Sequence, residues 1–96
     1  MARVTIEPKA DNNVRDLIRM AVENELKALR SGIERTSEIL SEMEKKYRMS
    51  SQEFYDRFDQ GEMGDDMDFI RWAGEFETLK QLKRDFGDLS EIEICS

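Results

Sequence analysis

The chain has no histidine, one cysteine and one proline among its 96 residues. Histidine is the side chain that most often serves as general base or metal ligand near neutral pH, so most familiar catalytic constellations are excluded with it. Cys95 has no second cysteine to pair with, which rules out an internal disulfide and leaves an inert terminal thiol as its simplest reading. Long apolar runs are also missing. No stretch approaches the ~18 apolar residues a membrane-spanning helix needs, mean hydropathy is -0.72, and the N-terminal MARVTIEPKADN holds no apolar signal-peptide core. A soluble, cytoplasmic protein is expected, with no membrane association, cofactor or bound metal.

What the chain does have is charge: 39% of its residues are charged and 39% hydrophobic, in 11.3 kDa. That mass allows one small domain over residues 1–96 and no second one, because independent domains usually need about 100 to 150 residues. The charge is divided unevenly. Residues 1–50 carry ten Lys or Arg against nine Asp or Glu, a net of +1, whereas residues 51–96 carry five against thirteen, a net of -8. An acidic half repels phosphate backbones, which makes nucleic acid a poor partner and a basic protein a good one.

Arg3 to Glu7 alternates, with Val4 and Ile6 on one side, and predicts a short strand ended by Pro8 within an N-terminal arm, residues 1–12. Asp11, Asn12 and Asn13 are candidate N-caps for a helix over 13–47. Its apolar seam runs Val22, Leu26, Leu29, Ile33, Thr36, Leu40, Met43, Tyr47 in alternating steps of four and three, the spacing of a heptad repeat. Ser31-Gly32 interrupts the pattern. Ser31 and Glu34 could form a capping box that opens a second helix, but the seam passes from Leu29 to Ile33 to Thr36 without losing phase, which favours one continuous helix.

Met49-Ser50-Ser51-Gln52-Glu53-Phe54 is a strong helix-start signal: Ser50 as cap, Glu53 as its reciprocal partner, and Met49 with Phe54 as the hydrophobic staple. A short helix over 51–60 is predicted, then an acidic loop holding Gly61 and Gly64. Asp65 or Asp66 should cap a last helix over 66–86, with Gly87 placed to stop it and a tail over 88–96 whose Glu91 to Ile94 alternates like a strand. A 35-residue helix is about 52 Å long, too long for a compact globule of this size, whose radius of gyration would be about 12 to 13 Å. The expected fold is therefore all-α: an elongated helical hairpin in which the second and third helices run back along the first. Leu17, Ala21, Ala28 and Ile39 lie off the seam, and burying them calls for a second copy, giving a dimeric helical bundle with Leu26, Leu29, Ile33, Leu40, Met43 and Tyr47 in its core or dimer seam.

Three sets of residues could carry chemistry. Asp59, Glu62, Asp65, Asp66 and Asp68 could ligate a hard cation, although their spacing is not that of an EF-hand and capping plus solvation account for them. Glu34, Glu38, Glu53 and Asp56 resemble the carboxylate pairs with which all-α nucleotide pyrophosphatases hold Mg²⁺ between helices, but Glu34 and Glu38 lie beside the apolar seam rather than on it. A strand before a helix containing a Gly turn resembles a ribbon-helix-helix repressor, with Arg3, Thr5 and Glu7 as reading face. Glu7 and the near-neutral charge of this half argue against that reading.

Glu44-Lys-Lys-Tyr-Arg-Met-Ser-Ser-Gln-Glu-Phe-Tyr, then Gly61-Glu62, Asp65-Asp66-x-Asp68, Ile70-Arg71-Trp72 and a leucine-rich helix form a pattern over residues 38–86. It resembles the small antitoxin-like proteins of prokaryotic toxin-antitoxin operons. The resemblance implies a long N-terminal helix that dimerises and an acidic C-terminal part that covers a basic toxin, here through Asp59, Glu62, Asp65, Asp66 and Asp68. The chain departs from the pattern in lacking a DNA-binding domain. A protein-interaction module rather than an enzyme is the resulting expectation, with the metal-dependent hydrolase and the ribbon-helix-helix regulator as alternatives.

Overall fold

The computed structural model describes residues 3–5 and 12–95, with side chains over 13–92. Three helices dominate: α1 (Asn12–Tyr47), α2 (Ser51–Asp59) and α3 (Met67–Ser90). Two three-residue strands, β1 (Arg3–Thr5) and β2 (Glu93–Cys95), pair in parallel with Val4 opposite Ile94. The strand expected from Arg3 onward and the alternating tail thus become partners; Glu7, Pro8 and Asp11 lie outside the described residues.

α1 is unbroken through Ser31-Gly32, as the seam's phase requires. Gly32 is buried because α3 crosses here: a Cβ on it would sit 3.2 Å from Leu82 Cδ1. The residue that looks like a helix breaker is there to let two helices approach closely. At the other end of α1, Arg48 takes a positive φ of 53° and the Met49 N–H donates to Glu44 O at 3.3 Å, which closes the helix as a Schellman turn with arginine where glycine is usual.

The chain then reverses at Ser50, whose Oγ accepts from the Glu53 N–H at 3.1 Å, so α2 starts where its sequence signal places it. The reciprocal half of the capping box is different. Glu53 turns to Arg57 at 3.1 Å, and the next amide, the Ser51 N–H, donates to Glu44 of α1 at 2.8 Å. Gly61 and Gly64, both at positive φ (78° and 75°), carry the loop to Asp66, whose side chain accepts from the Asp68 N–H and caps α3. α3 does not stop before Gly87. It continues to Ser90, with Gly87 helical inside it, and ends where the Glu91 and Ile92 N–H groups turn onto Asp88 and Leu89 carbonyls. Gly87 has no positive φ to use, and its propensity cost of about 1 kcal/mol does not end the helix.

α3 runs antiparallel to α1: Lys46 meets Asp68 at one end, and Arg30 lies over the Phe86 ring, 5.5 Å from its centroid, towards the other. The seam residues Leu29, Thr36, Leu40 and Met43 are buried and Leu26, Ile33 and Tyr47 half-buried within this hairpin, so the heptad seam packs within the chain. The core concentrates where all three helices meet, around Leu40, Met43, Phe54, Trp72 and Ala73. Phe54 and Trp72 are fully enclosed and stack face to face, centroids 3.9 Å apart and planes within 4°. α2 thereby covers aromatics of α3 that a two-helix hairpin would leave open. The molecule measures 58 × 21 × 17 Å with a radius of gyration of 18.7 Å, the rod that the 36 residues of α1 impose.

Candidate functional site

The acidic loop divides into two kinds of carboxylate. Asp66 is the N-cap of α3. Asp68, two residues on, accepts the Tyr47 hydroxyl at 2.6 Å and the Lys46 ammonium at 2.7 Å, which ties the start of α3 to the end of α1. The Lys46 hydrogen bond, followed by that from Tyr47, holds the Asp68 carboxyl below the usual carboxylate range; the same contact with Asp68 raises both Lys46 and Tyr47. Asp59, Glu62 and Asp65 are exposed, and their side chains take part in no hydrogen bond or ion pair among the described residues. The five expected partner-binding residues thus separate into two that shape the fold and three that project into solvent.

A polar chain pins α2 between its neighbours. The Trp72 indole N–H donates to Ser51 Oγ at 2.8 Å, both groups buried, while the Ser51 backbone N–H donates to Glu44. Tyr55 donates to Glu77, a contact that raises the Tyr55 hydroxyl, and Lys80 lies over the Tyr55 and Phe76 rings at 5.3 and 4.6 Å. None of these contacts was legible as a pair in the sequence. Tyr47 with Asp68, Ser51 with Trp72 and Tyr55 with Glu77 stand 21 or 22 residues apart and meet only once the hairpin closes.

The layers differ in charge. α1 carries seven Lys or Arg and seven Asp or Glu, whereas residues 51–92 carry five against twelve. The neutral helix therefore forms one side of the rod and the acidic layer of α2, loop and α3 the other.

Glu34 and Glu38 are exposed on α1, Glu53 pairs with Arg57, and Asp56 accepts from Gln52 at 3.0 Å. These four carboxylates do not point into a common space, and among the described residues no group of three or more Asp, Glu or Cys side chains is arranged to hold a metal ion. The turn at Gly32 that a ribbon-helix-helix unit would need is absent, since α1 passes through it as helix. No helix among the described residues is long and apolar enough to cross a membrane.

Two further surface features are apolar. Near the start of α1, Val14, Leu17 and Met20 are 44%, 54% and 56% exposed. Towards the other end of α3, an apolar groove floored by Leu29, Leu89 and Ile92 opens between α1 and α3, rimmed by Glu25, Asp85 and Asp88. Leu17 stands out in sequence as off the seam; the groove depends on where α3 ends, which the position of Gly87 misplaces. Comparison with family models, curated proteins and solved structures gave no match to this chain.

Proposed function

We propose that the protein is an acidic, dimeric protein-binding module of the antitoxin kind, which neutralises a basic partner through the layer formed by α2, the acidic loop and α3. The observation that carries this reading is the segregation of charge: twelve acidic against five basic residues over 51–92, facing away from an α1 that balances at seven and seven. Such a layer attracts a basic protein at long range and repels nucleic acid. Asp59, Glu62 and Asp65 supply its available carboxylates, because they are exposed and, among the described residues, unpaired, while Asp66 and Asp68 maintain the fold. The resemblance over residues 38–86 supplies the kind of partner, a toxin, and the exposed apolar side chains near the start of α1 support pairing of two copies. The test is binding to the product of the neighbouring gene: that product should be toxic alone, harmless when co-expressed with this chain, and bound more slowly when Asp59, Glu62 and Asp65 are changed to Lys.

A further inference from the structure

α3 has one face that no described residue covers. At 3.6 residues per turn, Met67, Ile70 and Gly74 fall within roughly 60° of one another, on the side of the helix opposite the enclosed Trp72. Met67 is 78% and Ile70 48% exposed, the two large apolar side chains of α3 that stand out in solvent. Neighbouring helices reach only the flanks of this stripe: Tyr55 of α2 donates to Glu77 on one side, and Lys46 of α1 donates to Asp68 on the other. Gly74 is helical and exposed, with nothing within 4 Å of a Cβ placed on it. Leu82 accounts for Gly32, but no described residue accounts for Gly74, although a glycine weakens a helix relative to alanine. What a glycine permits is the close approach of another backbone. The surroundings are acidic. Asp65 and Asp66 precede Met67, Glu77 borders Gly74, and Asp85 and Asp88 follow on the same side, all exposed. Arg71 and Arg84 stand at the edges, Arg71 one turn from Asp68, whose charge it helps to offset, and Arg84 at 3.5 Å from Gln81.

We propose that this face of α3 is the docking surface for an amphipathic, basic helix of the protein's partner. The apolar side of that helix lies on Met67 and Ile70, its backbone comes closest at Gly74, and its Lys and Arg side chains meet Asp65, Glu77 and Asp85. The site rests on the basic-partner reading above and adds to it which face of the acidic layer is used and what the partner presents. Charge selects the occupant. A second copy would set one acidic layer against another, since residues 51–92 carry twelve acidic against five basic residues, and nucleic acid would be repelled in the same way. Shape selects a helix. Met67, Ile70, Gly74 and Gln81 follow one another at steps of three, four and seven, the spacing at which one helix packs on another, and they span about 21 Å at 1.5 Å per residue. Large side chains then lie beside the crossing and the glycine lies at it, while Met67, unbranched and adaptable, fits itself to the apolar side of the incoming helix.

The probe is a synthetic helical peptide of about 18 residues, roughly 27 Å long, with leucine at i, i+3, i+4 and i+7 and lysine elsewhere; its counterpart carries glutamate in place of lysine. Binding is followed by NMR on protein labelled at its methionine methyl groups. The lysine peptide should bind at low salt with a Kd below about 100 µM and move the Met67 signal, leaving the buried Met43 and the distant Met20 unmoved, while the glutamate peptide should not bind. Gly74→Gln and Ile70→Gln should each weaken binding of the lysine peptide about tenfold. Gly74→Gln separates docking from folding, because its side chain has free space and glutamine is the better helix former, so the thermal midpoint should rise while affinity falls. Gly87→Ala, equally open but roughly 140° round α3 from Gly74, should raise the midpoint and leave binding unchanged. A lysine peptide that shifts Met20 instead of Met67, or binds the Gly74→Gln protein as tightly as wild type, would overturn this face and leave the basic-partner reading standing. A Met67 signal that moves on dilution of the protein alone would place a second copy there and overturn it as well. A lysine peptide that fails to bind at low salt, or binds no better than the glutamate peptide, would overturn both the face and the basic-partner reading.

Discussion

Single side chains decide how α2 is held. Ser51 is the example: its hydroxyl is the acceptor for a buried indole N–H, so Ser51→Ala would leave Trp72 Nε1 unpaired inside the core. That orphaned donor should cost about 1 to 3 kcal/mol, read as a lower urea midpoint with an unchanged slope; an unchanged midpoint would mean that the indole finds water instead. Asp68 makes the corresponding tie between α1 and α3 dependent on pH. Its carboxyl titrates below the usual range because Lys46 and Tyr47 donate to it, so its contribution is complete above about pH 4 and disappears as pH falls through the depressed folded value. Lys46 and Tyr47 are shifted upward, so theirs is complete below about pH 10 and is lost as pH rises through the raised folded values. Asp68→Asn should therefore lower the denaturation midpoint at pH 7, and the gap from wild type should close towards pH 2 to 3. A gap of equal size at both pH values would show that the ionised form of Asp68 contributes nothing.

The helices themselves were the most legible part of the sequence. The heptad phase across Gly32 described a continuous α1, and the Ser50 cap with its staple located the start of α2, because both signals rest on backbone and side-chain spacing within a few turns. The end of α3 was not legible. A glycine after Phe86 has the form of a stop signal, but whether it takes a left-handed conformation depends on where the chain goes next, and here it goes on as helix for another three residues to Ser90. Gly87→Ala distinguishes the two cases. Nothing lies within 4 Å of a Cβ placed on Gly87, so alanine inside a helix should stabilise the protein by about 0.5 to 1 kcal/mol, whereas alanine at a left-handed cap would destabilise it. The thermal midpoint decides by its sign. The candidate site was legible to a similarly limited degree: the acidic stretch was visible as charge, but the structural duties of Asp66 and Asp68 depend on a helix start and on Tyr47, which the hairpin brings from 21 residues away.

At the scale of the whole molecule, one long helix sets the shape and the other two set the sign of the surface. The rod holds its aromatic core where three helices meet, at the end that also carries the acidic loop, and its acidic-rimmed groove towards the other end; exposed apolar side chains stand at both ends, Met67 and Ile70 beside the core and Val14, Leu17 and Met20 near the start of α1. The loop carboxylates Asp59, Glu62 and Asp65 are exposed, so they can be reversed without touching the enclosed Phe54 or Trp72. The most direct measurement is the association rate of the neighbouring gene's product with wild-type protein and with the Asp59, Glu62 and Asp65 to Lys variant, at low and at physiological salt. If the acidic layer is the binding surface, the wild-type rate should fall steeply as salt rises, and the variant should associate about ten times more slowly at low salt with its helicity and midpoint nearly unchanged. Equal association rates for the two proteins at low salt would contradict the account.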